Sequence, residues 1–153
     1  MNYFKLTLAS LAALFVLTAN ANEFPKDSYE TYKVKQDSEG FFEAKIPKVL
    51  VSNLRSGLLS LGENLASCKQ STGEYTNPLI GRTSKYQISS TSRGCKLELD
   101  SYGTHTYNCY LSSFRANKMS KAIIERVSTD EVLGDWSKAE KEVLFNSSLC
   151  QEK

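Results

Sequence analysis

The stretch YQISSTSRGCKLELDSYGTHTYNCYL, residues 86–111, decides the fold of this protein. Its apolar residues alternate with polar ones on both sides of Tyr102-Gly103, a turn signal, which is the pattern of an antiparallel hairpin with one buried face. A second turn signal, Ser92-Arg93-Gly94, separates this hairpin from an earlier strand-like run. The sequence therefore predicts a three-stranded antiparallel meander over residues 79–112.

Two cysteines of this stretch suggest that the hairpin is cross-linked. If the turn is centred on Tyr102, Cys95 lies directly opposite Cys109, and opposed residues of an antiparallel pair are within disulfide distance. We therefore prefer the pairs Cys95–Cys109 and Cys68–Cys150. The competing arrangement joins Cys68 to one strand cysteine and Cys150 to the other, and a small change of register would remove our preference.

The four cysteines favour disulfides over a metal site. An even number of cysteines in a small exported chain is typical of a disulfide framework. A zinc site would need closely spaced ligands, but there is no C-x-x-C pair and His105 is the single histidine. We expect no metal and no cofactor.

The first residues have the layout of a signal peptide. A charged start, MNYFK, precedes an apolar run that ends at small residues suited to cleavage after Ala21. The apolar run is shorter than the roughly 20 residues that span a bilayer. We therefore expect a soluble, secreted or periplasmic protein that keeps no membrane anchor after cleavage.

An amphipathic helix is expected before the sheet. After Pro47, apolar residues recur at intervals of three and four, which places them on one helix face. Gly57 and Gly62 interrupt this helix, and they would permit close approach of the sheet. The members of the stripe are Leu50, Leu54, Leu58, Leu61, Leu65 and Cys68. The preceding arm, residues 22–45, fits either two short strands or a frayed helix.

Helical patterns return after the sheet. Ala116, Met119, Ile123 and Val127 mark a second helix. Two capping boxes, Ser128-x-x-Glu131 and Ser137-x-x-Glu140, then predict two further helix starts.

These elements predict an α+β fold. A long N-terminal amphipathic helix would pack on the three-stranded meander, and two or three C-terminal helices would close a disulfide-stabilised core. The domain boundaries that we expect are residues 1–21 for the signal peptide, 22–45 for the arm and 46–153 for a single domain.

The charge balance excludes some partner classes. A formal net charge of +2 gives no reason to expect nucleic acid, because phosphate binding needs a clear cationic excess. One local exception is a run of cations without acids between residues 82 and 96. It contains Arg82, Lys85, Arg93 and Lys96.

The sequence contains no recognisable catalytic motif. His105 lies at the hairpin tip, and bridged cysteines carry no nucleophilic thiolate. Glu98 and Asp100 share one strand face, where they would suit a glycosidase only if a cleft lay above them. A cell-wall or glycan hydrolase is therefore an alternative function, and a carrier of a small apolar ligand between helix and sheet is another.

The leading hypothesis is a non-enzymatic protein that binds a macromolecular partner, expected to be a protein. It would act as a secreted effector or inhibitor, or as an accessory component of an envelope or secretion assembly. The hairpin region is rich in tyrosine, serine and threonine, which supply adaptable contact surface. The candidate binding surface consists of Tyr86, Arg82, Lys85, Arg93, Lys96, Tyr102, His105 and Tyr110.

Overall fold

The computed structural model describes residues 24–36 and 40–153, which form an α+β fold with two antiparallel sheets. The seven strands are β1 Tyr29–Gln36, β2 Gly40–Pro47, β3 Ser71–Asn77, β4 Arg82–Thr91, β5 Gly94–Ser101, β6 His105–Leu111 and β7 Cys150–Glu152. The helices are α1 Lys48–Ala66, α2 Ser113–Val127 and α3 Lys138–Leu144, with 3-10 turns at Lys26–Ser28 and Asp130–Leu133. The predicted signal peptide lies outside the described residues, in which no helix is long and apolar enough to cross a membrane.

The predicted architecture is wrong in two respects. First, the long helix is not N-terminal, because the arm forms a two-stranded hairpin of β1 and β2 before α1 begins. Second, the main sheet has five strands in the order β3-β4-β5-β6-β7 instead of three. β3 resembles a loop in sequence because it is rich in small polar residues, and β7 has only three residues, too few to show an alternating pattern.

The disulfide pairing that we preferred is also wrong. The bridges are Cys68–Cys95 and Cys109–Cys150, with Cα–Cα distances of 5.4 and 4.0 Å. The pairing of β5 with β6 is displaced by two residues from the expected one, so that Leu97 is opposite Cys109. On its other side β6 pairs with β7, and there Cys109 is directly opposite Cys150.

The leucine stripe of α1 is buried as its spacing predicts. Leu54, Leu58, Leu61 and Leu65 are at most 1% exposed and lie in one core with the inner face of the sheet. Gly57 permits the close approach of β3, because a Cβ there would lie 2.7 Å from the Cβ of Tyr75. Gly62 instead faces α2, where its nearest neighbour is the Ile124 side chain.

Only one of the two predicted capping boxes is present. Ser137 and Glu140 form a capping box at the start of α3. Ser128 instead ends α2, and Thr129 caps the following 3-10 turn by accepting a hydrogen bond from the backbone of Glu131. The prediction of a capping box at Ser128 is wrong because the neighbouring Thr129 provides the capping hydroxyl.

The β1–β2 hairpin belongs to the same core. Tyr32 and Val34 of β1 and Ile46 of β2 are buried in it. The backbone N–H of Lys33 donates to the carboxylate of Asp130 at 3.4 Å, which joins β1 to the 3-10 turn after α2.

Candidate functional site

The outer face of the five-stranded sheet contains several of the predicted site residues. α1 and α2 pack on the inner face, which carries the buried apolar side chains. The outward positions alternate with these and are mostly polar, as expected when one side of an antiparallel sheet faces water. The central ones are Lys85 and Gln87 on β4, Lys96, Glu98 and Asp100 on β5, and Thr106, Asn108 and Tyr110 on β6.

Lys96 connects two other side chains on this face. Its ammonium group forms an ion pair with Glu98 and lies 6.0 Å from the centre of the Tyr110 ring. The hydrogen bond from Lys96 lowers the pKa of the Glu98 carboxyl and raises the pKa of the Lys96 amine. Glu98 is therefore held as a carboxylate, which is unsuited to donating a proton as a glycosidase acid does.

The four predicted cations do not come together. Lys85 is placed by register between Glu74 on β3 and Asp100 on β5, so that acids flank it. Arg82 begins β4 and Arg93 follows its other end, roughly 30 Å away for a strand of this length. The charges of this face thus alternate instead of forming an anion-binding patch.

Of the predicted surface tyrosines, one is buried and another is half-buried. Tyr86 is 5% exposed, and its hydroxyl donates to Ser60 Oγ at 3.2 Å, because it shares the inner face with Ile88. Tyr102 is half-buried in the turn after β5, with its ring edge-on to Tyr75 at 6.3 Å. Burial raises the pKa of the Tyr102 hydroxyl. Of the four tyrosines in the hairpin region, only Tyr110 is widely exposed, at 60%.

His105 forms structural contacts. Its Nδ1 pairs with the Glu152 carboxylate, and its ring stacks on Tyr107 at 6.3 Å. These contacts join the start of β6 to the end of β7. Within residues 24–36 and 40–153, no group of three or more histidine, cysteine or acidic side chains is placed to hold a metal ion.

A groove of 610 Å³ lies between the end of β1 and the start of α3. At the floor of this groove, the buried Arg126 guanidinium donates to both Glu140 oxygens and to the Val132 carbonyl, and the Trp136 ring lies over it at 5.3 Å. The rim carries both signs of charge, including Lys35, Glu131, Asp135, Lys138 and Glu142. Its best-placed cation is thus already satisfied by protein groups.

β2 carries two adjacent exposed phenylalanines, which the sequence interpretation missed. Phe41 is 69% exposed and Phe42 is 41% exposed, and as neighbours in a strand they point to opposite faces. Because adjacent residues of a strand point to opposite faces, a hairpin that packs on the core with one face exposes one of two neighbouring phenylalanines, and this was the signal available in the sequence.

The other edge strands differ from β2. The free edge of β1 lies against the 3-10 turn Asp130–Leu133, and β3, one edge strand of the large sheet, packs closely against α1 at Gly57. β7, the opposite edge of the large sheet, is only three residues long. β2 pairs with β1 alone, so its second edge has no strand neighbour among the described residues. Proteins usually cover or shorten such edges, and an eight-residue edge that carries exposed phenylalanines is a template for strand pairing.

In comparisons with known proteins, no family model, no curated protein and no solved structure matches this chain.

Proposed function

We propose that this protein is a non-enzymatic binding protein that takes up an extended segment of a protein partner along the open edge of β2. The observation that carries the proposal is the second edge of β2, which has no strand neighbour within residues 24–36 and 40–153, together with its two exposed phenylalanines, Phe41 and Phe42. In this mode of recognition, backbone hydrogen bonds provide affinity and alternate side chains provide selectivity.

The two phenylalanines would contact an added strand from both faces. Phe42 is opposite Val34 of β1 and continues the apolar face of the hairpin. Phe41 is opposite Lys35 on the outward face. In a docked strand, alternate side chains point to opposite faces. The side chains on one face would therefore cover Phe42, and those on the other face would cover Phe41.

The contacts of the titratable residues support binding over catalysis. His105, Glu98 and Glu140 are each engaged in a pair within the protein. The two disulfides support localisation in an oxidising compartment, as expected for a secreted effector or an envelope component. We therefore extend the proposal to an exported protein.

The test uses random peptides displayed on phage and selected on the immobilised protein. We expect the selected peptides to bind as extended strands and to protect the backbone amides of residues 40–47 from hydrogen exchange. The Phe41→Ser variant should lose most of this binding. Phe114→Ser, a matched control at a 74% exposed residue of α2, should retain it. Equal binding to both variants, or protection confined to another element, would overturn the proposal.

A further inference from the structure

We propose that the strand taken up by β2 is β2 of a second copy of this chain. The two hairpins would then join about a two-fold axis into one antiparallel four-stranded sheet. This inference rests on the proposed function, because it names the partner of the same strand edge.

Charge complementarity within β2 supports a second copy. The strand reads GFFEAKIP from Gly40 to Pro47. Glu43 precedes Ala44, and Lys45 follows it. If the two-fold axis passes through Ala44, Glu43 of each copy lies opposite Lys45 of the other. Opposite charges at directly opposed positions stabilise an antiparallel pair.

The charged groups that this pairing needs are available. Glu43 and Lys45 are exposed, and neither forms an ion pair within the described residues, although Lys33 of β1 is opposite Glu43 in the register of the hairpin. Each copy contributes both residues, so the two-fold axis generates the Glu43–Lys45 pair twice. The same arrangement is self-complementary, as the interface of a symmetric dimer must be.

The apolar residues select the same register. With Ala44 on the axis, Phe42 lies opposite Ile46, and Phe41 lies opposite Pro47. A shift that places Glu43 or Lys45 on the axis brings like charges together, which destabilises a strand pair. A one-residue offset instead sets Phe42 against Lys45, because it exchanges the faces of one strand.

The interface should be weak. Pairing through a single eight-residue strand buries less surface than a standard stable interface, which buries about 1,600 Å². We therefore expect a reversible dimer that dissociates on dilution.

The experiment compares two charge variants alone and together by sedimentation equilibrium over a range of concentrations up to millimolar. In the Glu43→Lys variant, the new lysine of each copy lies opposite Lys45 of the other copy. In the Lys45→Glu variant, the new glutamate of each copy lies opposite Glu43 of the other copy. We expect each variant alone to dimerise at least about tenfold more weakly than the natural chain. An equimolar mixture of the two variants recreates both opposite-charge pairs and should return to within about threefold of the natural affinity.

Matched controls make the same charge changes elsewhere. Glu63 on α1 and Lys121 on α2 are exposed helix residues. The variants Glu63→Lys and Lys121→Glu should therefore dimerise like the natural chain. A natural chain that is monomeric at millimolar concentration, or variants that dimerise unchanged, would overturn the inference. If peptides nevertheless bind β2 in the phage experiment, the proposed function survives the loss of the dimer. If nothing binds β2, both fail.

Discussion

Arg126 and Glu140 form an ion pair that is shut off from solvent between α2 and α3. The Nε–Oε2 distance is 2.9 Å and the Nη2–Oε1 distance is 3.0 Å, and the two side chains are 5% and 0% exposed. Glu140 also accepts a hydrogen bond from the backbone N–H of Ser137 at 2.8 Å. The pair thus joins the cap of α3 to the last turns of α2.

The first prediction concerns this buried pair. Glu140→Gln keeps the shape of the side chain but leaves the guanidinium of Arg126 buried without its counter-charge, which should cost about 3–5 kcal/mol. Adding Arg126→Met should restore part of that loss, because the uncompensated charge is then removed. The measurement is the free energy of unfolding in urea.

The control for this pair is Glu142→Gln. Glu142 is exposed and pairs with Lys118 at the surface, so its substitution should change stability by less than about 1 kcal/mol. A loss below about 1 kcal/mol for Glu140→Gln would contradict the structural role that we assign to the pair.

The second prediction concerns the disulfide connectivity. Proteolysis of the unreduced protein should yield one linked peptide pair that contains Cys68 and Cys95 and another that contains Cys109 and Cys150. Mass spectrometry before and after reduction identifies them. Recovery of a Cys95–Cys109 link would refute the observed register of β5 with β6.

The same bridges should contribute to stability. They close loops with sequence separations of 27 and 41 residues, and the chain-entropy model gives each about 3.5–4 kcal/mol before native strain is subtracted. Replacing Cys109 and Cys150 together with serine should therefore lower the free energy of unfolding by about 2–4 kcal/mol. A change below about 1 kcal/mol would show that this bridge adds little.

The third prediction concerns alkaline pH. Burial raises the pKa of the Tyr75 hydroxyl above its usual 10.0, and the neighbouring Tyr102 adds to the effect. The unfolded chain therefore loses the Tyr75 proton at a lower pH than the folded protein does. The stability contribution of neutral Tyr75 is complete below about pH 10 and declines as the pH rises above it.

Tyr75→Phe should flatten this decline. Chemical unfolding at pH 8 and at pH 11 measures the difference, which should be smaller in the variant than in the natural chain. Tyr110→Phe is the matched control, because Tyr110 is 60% exposed. An equal decline in Tyr75→Phe and the natural chain would show that Tyr75 does not cause the alkaline loss.

The fourth prediction concerns the contact of α1 with β3. Gly57→Ala would place a Cβ 2.7 Å from the Tyr75 Cβ and 2.9 Å from the Glu74 carbonyl oxygen, so the helix must shift. We expect a loss of about 1–3 kcal/mol despite the better helix propensity of alanine. Gly134→Ala is the control, because its nearest neighbours are at 3.5 Å and its φ is −84°. Equal stability of the two variants would contradict the close approach.

Local patterns predicted the elements better than their pairing. The spacing of the α1 leucines, the alternation in β5 and β6 and the Ser137 capping box each arise from residues close together in the chain. The strand register depended on the turn, whose centre is Gly103 and not Tyr102: Ser101 pairs with His105, and the loop between them has positive φ at Tyr102 (56°) and at Gly103 (70°). That difference moved the pairing by two residues and with it the disulfides.

The candidate site was the least predictable part. Tyr86 and Tyr102 are residue types typical of a contact surface, but Tyr86 is buried with its hydroxyl on Ser60, and Tyr102 is half-buried against Tyr75. Phe41 and Phe42 gave an apolar signal in the sequence, but whether a strand covers them depends on the sheet order. Exposure is a property of the assembled elements, and no short stretch of sequence specifies it.

The sequence by itself determined the α+β class, the amphipathic face of α1 and the presence of two disulfides, because periodicity and cysteine number are local or compositional properties. The tertiary structure decided that β7 pairs with β6 and brings Cys150 to Cys109, and that Arg126 and Glu140 meet inside the protein. It also decided that, in the described part of the chain, no strand pairs with the second edge of β2. These relationships join residues far apart in the chain, and they exist only after the core has packed.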